Sequence, residues 1–581
     1  MNQMKEKLGN RFVRCLGKNF HYLKRIKQMK KTVLQNKYSE YLSSLDVIDS
    51  VEVFESGDVQ CDVLIGEELY SILLFSLSDN KLPIVLLCNP KEGKAQKPHQ
   101  LHLIKEKLIH LCLSVREDIS VKNSNYKEIL DYTLKRIIRL LSLTDDEERR
   151  EFRKEFLYFW NKISSNKERV ELFINTSSAV KKLSVNRKKN VLLLADPSVN
   201  FNHTFIDKAE PEILNAIYIP LVNSSRILPP YEEKKWTNEY LIDICNQCIS
   251  EENAELLESI SITSKSVFLA FEMEIPETLP VIFLLKLDFR KKKGGNLYER
   301  FNEVVNLEHL SSQRCDSGYL YKRIGLENIS ANKNVLVIGA GSLGSYILSE
   351  LPKMGVSKIT IYDNDKFSIE NVMRHKLGYR YNKLNKAFAM ELDLELSYPE
   401  LMVNFKEERF TETDLDCYGL EEYDLIIVAT GGTDFMLRLN KGFKELDIKT
   451  TVIFTWIEAN GVGVHALPIK YSKKGCFQCL YTDAETNKAH YGSRNLETKA
   501  VGTGCGSVFN SYGNLTLLKG SAMILELTQL HLSGLLNSDR NLLHSVRTIS
   551  PLENSGYIIA KREFETSKDF YISERCKVCG I

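Results

Sequence analysis

No apolar run in this chain approaches the roughly 18 to 20 residues that a membrane span needs; the best are strand-length pieces such as 334–338. Neither sign of charge is in excess. The 78 Lys and Arg against 76 Asp and Glu leave +2, so the chain as a whole offers no electrostatic case for binding nucleic acid. Thirteen cysteines in 581 residues are too sparse for a disulfide scaffold, and two Cys-x-x-Cys pairs near the C-terminus read instead as metal ligands, which favours a reducing, cytoplasmic setting. Internal repeats and low-complexity tracts are also lacking. What is there is the composition of a folded protein, 43% hydrophobic and 27% charged, at a length that asks for about three domains. Residues 1–31 are rich in Lys and Arg with Glu6 as the one acid; a solvated basic helix at a domain edge is the simpler reading beside an organelle presequence.

Three regions separate by pattern. Between 62 and 87, short apolar runs punctuated by Gly66 and by Ser78-Asp79-Asn80 predict a strand meander. A polar loop with Pro98 and His99 follows, then a strand-like 109–113 containing Cys112. Ile129, Leu130, Leu134, Ile137, Ile138 and Leu141 then recur at three and four residues, predicting a helix with one apolar face. The middle, 170–320, offers strand candidates at 191–194, 217–222, 267–271 and 281–285 and no motif that carries chemistry. Its Cys245-x-x-Cys248 has no matching pair, so packing is its expected fate. From 334 onward the order strand, glycine turn, helix, strand begins a doubly wound α/β nucleotide site.

Gly339-Ala-Gly341-Ser-Leu-Gly344 lets backbone N–H groups and a helix N-terminus approach a phosphate, and Asp363 lies where an acid would meet ribose hydroxyls. Nicotinamide and flavin enzymes share that turn. The stretch Asp363-Asn-Asp365, Ser368, Asn371 and Arg374-His375 decides between them: it resembles the Asp-x-Asp…Asn-x-x-Arg-Gln signature of ThiF-type and ubiquitin-activating enzymes. An adenylating enzyme must neutralise triphosphate charge as pyrophosphate leaves, and a dehydrogenase has no use for an Asn and an Arg delivered here. By that resemblance Lys386 is the phosphate lysine, with Lys383 its near competitor. The family has a magnesium aspartate directly after Ala429-Thr430; this chain has glycines there and Asp434 further on, which makes Asp434 the candidate metal ligand. ATP and Mg2+ are the cofactors implied.

Gly475-Cys476-x-x-Cys479 and Arg575-Cys576-x-x-Cys579 supply the four thiolates that zinc prefers in a closed structural site, as ThiF-type domains have it. Between the pairs, Gly502-Thr-Gly-Cys505-Gly-Ser507 precedes an apolar helix at 515–527. A cysteine in such a segment can reach an acyl-adenylate, and the resemblance makes Cys505 the residue that takes the acyl group as a thioester.

In the N-terminal half, the order meander, Pro98-His99 loop, Cys112, amphipathic helix resembles a conjugating-enzyme fold with Cys112 as acceptor. The family's His-Pro-Asn is absent, leaving His99 and His102 as candidates to face an oxyanion. Taken together, the chain resembles the fused activating and conjugating enzymes associated with CD-NTases in bacterial CBASS anti-phage operons. The resemblance implies an α/β architecture in three parts: a conjugating-enzyme-like α+β domain at 1–160, a degenerate α/β linker domain at 161–320, and a ThiF-type adenylation domain with zinc knuckles at 321–581. It also implies a homodimer in which Arg323 reaches the partner's ATP. The expected substrate is the C-terminus of a cGAS-like nucleotidyltransferase, passed to target-protein amines, with neither nucleic acid nor membrane as partner. An activating enzyme for a separate ubiquitin-like or sulfur-carrier protein would share every C-terminal motif, and a noncatalytic nucleotide-binding scaffold would lack turnover.

Overall fold

The computed structural model describes residues 33–54, 58–75, 77, 82–88, 97–103, 108–113, 125–164, 168–206, 209–212, 214–230, 235–275, 278–326, 332–417, 419–482, 488–489, 512–548 and 569–580. The chain forms two compact units, one of residues 1–170, 176–182 and 213–312, the other of 171–175, 183–212 and 313–581. Among the described residues no helix is long and apolar enough to cross a membrane.

In the first unit a six-stranded antiparallel sheet runs in the order Ile48–Val53, Val59–Ile65, Glu68–Phe75, Ile84–Cys88, Leu108–Leu111, Gln100–Leu103. Alternation decides its faces: Val59, Cys61 and Val63 are buried while Gln60 and Asp62 are not. The buried face carries helices Val33–Ser43 and Tyr126–Leu141, whose Tyr38, Leu42, Leu130, Leu134 and Ile137 pack on Val63, Ile72, Val85 and Leu111. The second helix starts where the Asn125 side chain accepts N–H bonds from Lys127 and Glu128 while the Glu128 carboxylate accepts the Asn125 N–H, a reciprocal cap. Its apolar face is the expected one, extended by Thr133 and Leu140, with Ile138 at its margin.

Helices Asp145–Lys154 and Phe156–Ile163 follow. Four acids open the first and two bases close it, matching the helix dipole. Farther on, Asn215–Pro220 lies parallel to Ser266–Met273, which pairs antiparallel with Val281–Phe289, and that strand with Val304–Leu310. Phe156, Trp160 and Trp236 pack on Phe283, and the Trp160 indole N–H donates to the Leu310 carbonyl at 3.1 Å. Cys245 and Cys248 are buried in this core, and burial pushes the Cys245 thiol up to about 12, the behaviour of a packed apolar residue.

The second unit is built on a seven-stranded sheet: Met402–Lys406, Val356–Tyr362, Lys333–Ile338, Leu425–Val428, Thr451–Ile457, Gly463–Ile469, His544–Arg547. The first five are parallel and the last two antiparallel. Both faces are covered, so the strands read as continuous apolar runs. Leu336, Ile426 and Val452 face helix Thr433–Glu445 through Met436, Leu439 and Phe443. Val335, Ile359 and Ile427 face helices Ser342–Glu350, Lys386–Ser397 and Asn514–Leu532. Strand order reverses between Lys333–Ile338 and Leu425–Val428, and in open α/β sheets ligands bind at the carboxyl ends of strands at such a switch point.

Candidate active site

Val335–Ile338 is buried throughout and the chain then turns sharply at Gly339, whose φ of 101° only glycine adopts readily. A Cβ on Gly339 would meet the Ala429 carbonyl oxygen at 2.8 Å, and one on Gly344 would sit 2.0 Å from the Gly339 oxygen, so these two glycines let backbones touch. Gly341 differs, having no heavy atom within 4 Å of where its Cβ would be, and it borders two cavities. It is also the uncapped N-cap of helix Ser342–Glu350, so the helix offers its first N–H groups to an anion there.

Asp363 follows the next strand and ties the turn down: its carboxylate accepts the N–H of Ala340 at 2.7 Å and that of Asp365 at 2.9 Å. Burial pushes this carboxyl up, against Lys386 and the two N–H bonds. Asp365 pairs with Lys386 at 2.7 Å, and Lys386 is the first residue of a helix whose N-cap, Asn385, also donates to the Asp363 carbonyl at 2.8 Å. Lys383 is exposed at φ 76° and borders neither cavity.

Arg374 and Asn371 come from the turn that follows Ser368, where the Asn371 side chain accepts the Ser368 N–H at 3.1 Å. Next to them His375 is buried and its pKa depressed to about 4, so it is neutral. Its Nδ1 accepts from the Leu377 N–H at 3.1 Å, which leaves Nε2 to donate to the Ala340 carbonyl at 2.7 Å. His375 thus pins the arginine turn to the glycine turn.

These residues enclose two adjoining cavities. The larger, about 530 Å3, has Gly339, Gly341, Asp363, Asp365, Lys386 and Asp434 in its wall. The smaller, about 330 Å3, shares Gly341, Asp365 and Lys386 with it and adds Asn371, Arg374, Glu458 and Tyr512. Gly344 borders neither, and Asp434 is exposed in the first turn of helix Thr433–Glu445.

Cys476, Cys479, Cys576 and Cys579 converge in the same unit, with all four sulfurs within 4.8 Å of one another. Their Sγ···Sγ distances include 3.3 Å, 3.6 Å and 4.0 Å. Four sulfurs about 2.3 Å from a tetrahedral zinc stand about 3.8 Å apart, so the set fits that ion.

Residues 319–568 match the family model described as the ThiF family. This stretch is a ThiF-type domain. "ATP-dependent ubiquitin transferase-like protein Cap2" of Pseudomonas aeruginosa is 28% identical over 224 residues, 38% of this chain and 40% of that protein. "Ubiquitin-like modifier-activating enzyme 5" of Bombyx mori is 25% identical over 211 residues, 33% of this chain and 52% of that protein. The chain therefore spans 40% and 52% of the length of these two relatives. The crystal structure of E. coli MccB overlaps 45% of this chain and 68% of its own at 16% identity and a TM-score of 0.32. Residues 319–568 are thus similar to ThiF-family domains and, over shorter stretches, to proteins named as ATP-dependent ubiquitin transferase-like and as ubiquitin-like modifier-activating.

Within the ThiF domain, sequence reasoning quoted His375 in the signature without giving it a role and passed over Asn385 and Glu458. Glu458 lies in the wall of the smaller cavity and accepts from His465 at 2.6 Å, whose other ring nitrogen meets Ser545 Oγ at 2.6 Å. Strand pairing sets this chain of contacts, since His465 lies opposite Trp456 on one side and Ser545 on the other. No motif spacing announces it. Cys505 lies outside the described residues.

Cys112, in the first unit, is exposed directly after strand Leu108–Leu111, and its N–H donates to the His99 carbonyl at 2.9 Å. A cavity of about 220 Å3 is lined by Cys112, His99, Arg136, Arg139, Glu151 and Lys154. Both His99 ring nitrogens are engaged, Nε2 with Glu151 at 3.1 Å and Nδ1 with Glu155 at 3.0 Å. Burial alone would lower the His99 pKa, but the two glutamates outweigh it and raise it. This ring is committed to carboxylates. His102 pairs with Ile109 in the edge hairpin, and its side chain lies outside the described residues.

Proposed function

We propose that this enzyme adenylates a protein C-terminal carboxylate, captures it on Cys505 and passes it to Cys112 and then to target amines. The observation that carries the first step is the pair of cavities meeting at Lys386, Asp365 and Gly341. In support, the larger cavity has Asp363, Asp365 and Asp434 in its wall, and Arg374 and Asn371 line the smaller, where in this reading an incoming carboxylate meets the α-phosphate. A carboxylate oxygen attacks that phosphorus, and pyrophosphate leaves with the bonding pair. Lys386, Arg374 and the N–H groups at Gly341 meet the charge that moves. Asp434, in the wall of the larger cavity, would hold magnesium, which would supply further charge neutralisation there.

The Cys505 thiolate then attacks the acyl carbon and AMP departs. Cys112 repeats that exchange, and an amine finally displaces it to leave an amide. The division 1–160, 161–320 and 321–581 assigns these steps to a conjugating-enzyme-like part, a linker part and the adenylation part. Cys476, Cys479, Cys576 and Cys579 would hold a structural zinc that ties the last of these together. The substrate read from the family resemblance is the tail of a cGAS-like nucleotidyltransferase, primed in anti-phage defence in the cytoplasm. A homodimer with Arg323 reaching across completes the reading, and in support Arg323 is exposed on helix Ser317–Arg323.

Non-reducing gels of the protein with ATP, Mg2+ and a CBASS nucleotidyltransferase test it. Reducible adducts are expected in wild type, retained in Cys112→Ala and lost in Cys505→Ala. Adducts that never involve Cys112 would leave the second reading, an activating enzyme alone, which the relatedness to ubiquitin-like modifier-activating enzyme 5 within 33% of the chain favours. ATP binding without pyrophosphate exchange would leave a scaffold.

A further inference from the structure

The cavity beside Cys112 contains more charge than the transfer scheme has used. Burial pushes the Cys112 thiol up and Glu155 pushes it further, so something must oppose them if the sulfur is to attack and later to leave as a thiolate. The candidates facing it are His99, Arg136, Arg139 and Lys154. His99 is spent on Glu151 and Glu155, and Lys154 pairs with Glu151 at 3.2 Å. Arg139 is exposed and acts on Glu147. Tyr158, the remaining titratable neighbour, can only add negative charge, and burial first, then Glu155 and Cys112, raise its pKa.

Arg136 is differently placed. It is half-buried on helix Tyr126–Leu141, and its Nε and Nη2 donate to the Leu113 carbonyl at 2.9 Å and 2.7 Å. Leu113 is the residue after Cys112. The fork is thus fixed to the backbone of the residue next to the cysteine by a neutral acceptor, with no carboxylate paired to it among the described residues and three of its five N–H donors uncommitted by that carbonyl.

We propose that Arg136 is the cation that stabilises the Cys112 thiolate, both when the sulfur attacks an acyl donor and when it is expelled. The inference rests on the transfer reading for its chemistry. In the discharge step the amine nitrogen bonds to the thioester carbon, and the carbonyl pair moves onto oxygen and returns. The C–S bond then breaks with its pair on Cys112 sulfur, and the ammonium proton passes to solvent. The sulfur's new charge appears beside Arg136.

Alkylation of Cys112 by iodoacetamide, followed peptide by peptide in the full chain from pH 6 to 10, tests this without requiring any acyl transfer. Arg136→Gln should move the half-point of the rate profile up by about 1 pH unit or more, the usual effect of removing an adjacent opposite charge. Arg136→Lys should restore most of that shift, which a purely structural role would not. Should Arg136→Gln fail to fold, Arg136→Met, which keeps the aliphatic stem and removes the charge, carries the same test and should move the half-point up likewise. A folded Arg136→Gln protein with the wild-type profile overturns the proposal. The charging gel judges the other reading separately: a wild-type Cys112 that responds to Arg136 but never charges overturns conjugation and leaves Arg136 as the support of a reactive thiol.

Discussion

Gly341 and Gly344 belong to one motif and answer to different forces. A methyl on Gly344 collides with backbone at 2.0 Å, so helix Ser342–Glu350 would have to lift from its strand. Gly344→Ala should therefore cost about 1–3 kcal/mol in thermal or urea unfolding, as overpacked sites do. Gly341→Ala meets open space and should melt like wild type, with its loss read instead as a raised KM for ATP in pyrophosphate exchange. Equal melting losses would show that both serve packing. The two lysines separate in the same way. Lys386 is buried against Asp365 at the junction of both cavities, while Lys383 borders neither. Lys386→Ala should slow exchange on the order of 10²-fold, the usual loss on removing a preorganised charge donor, and Lys383→Ala should leave it unchanged. At this scale the motif residues were legible because chemistry demands residue types at short spacing. What spacing could not choose was which lysine, since that depends on Asn385 capping the helix so that Lys386 begins it.

The element scale adds contacts between segments far apart in sequence. His99 clamps its loop to helix Asp145–Lys154 through Glu151, and to the residue after that helix through Glu155. The glutamates raise the histidine's pKa in the folded state above its unfolded value of about 6.5. The clamp's contribution is therefore fully present below about pH 6.5 and is lost as pH rises through the higher folded value. Urea midpoints across that interval should fall more steeply for wild type than for His99→Gln, and parallel curves would show the clamp to be uncharged. Nothing in the sequence pairs His99 with residues some fifty positions on, and the same holds for Arg136 and Leu113 or Glu458 and His465. The elements themselves were readable. Apolar runs marked the strands on either side of the glycine turn and helix because both sheet faces are covered, while Met402–Lys406 and Thr451–Ile457 were not singled out, and the three-and-four spacing from Ile129 to Leu141 marked the helix that packs against the Cys112 sheet. The edge hairpin of Gln100–Leu103 with Leu108–Leu111 was read as loop followed by strand, because a four-residue edge strand carries too little alternation to stand out.

At the scale of the molecule, the four cysteines close a long loop within the ThiF unit. Cys479 and Cys576 are 97 positions apart, and the stretch between them contains Cys505 and helix Asn514–Leu532. A cross-link closing about 100 residues is worth about 4–5 kcal/mol in chain-entropy accounting, and a metal clip acts on the unfolded chain in the same way. The sulfurs' mutual distances fit zinc, and the cluster borders neither cavity. Metal removal should accordingly act on stability before chemistry. Chelation should release about one zinc per chain and expose four thiols to titration. It should also lower the melting temperature of the ThiF unit by roughly 10 °C or more, given about 2–4 °C per kcal/mol for domains of this size. Cys479→Ser should reproduce that melt without chelator. Exchange activity per folded molecule, measured well below the lowered midpoint, should persist. A chelated protein that melts like the untreated one while having lost its zinc would make the cluster an incidental metal site, and loss of exchange at full folding would place the ion in the reaction.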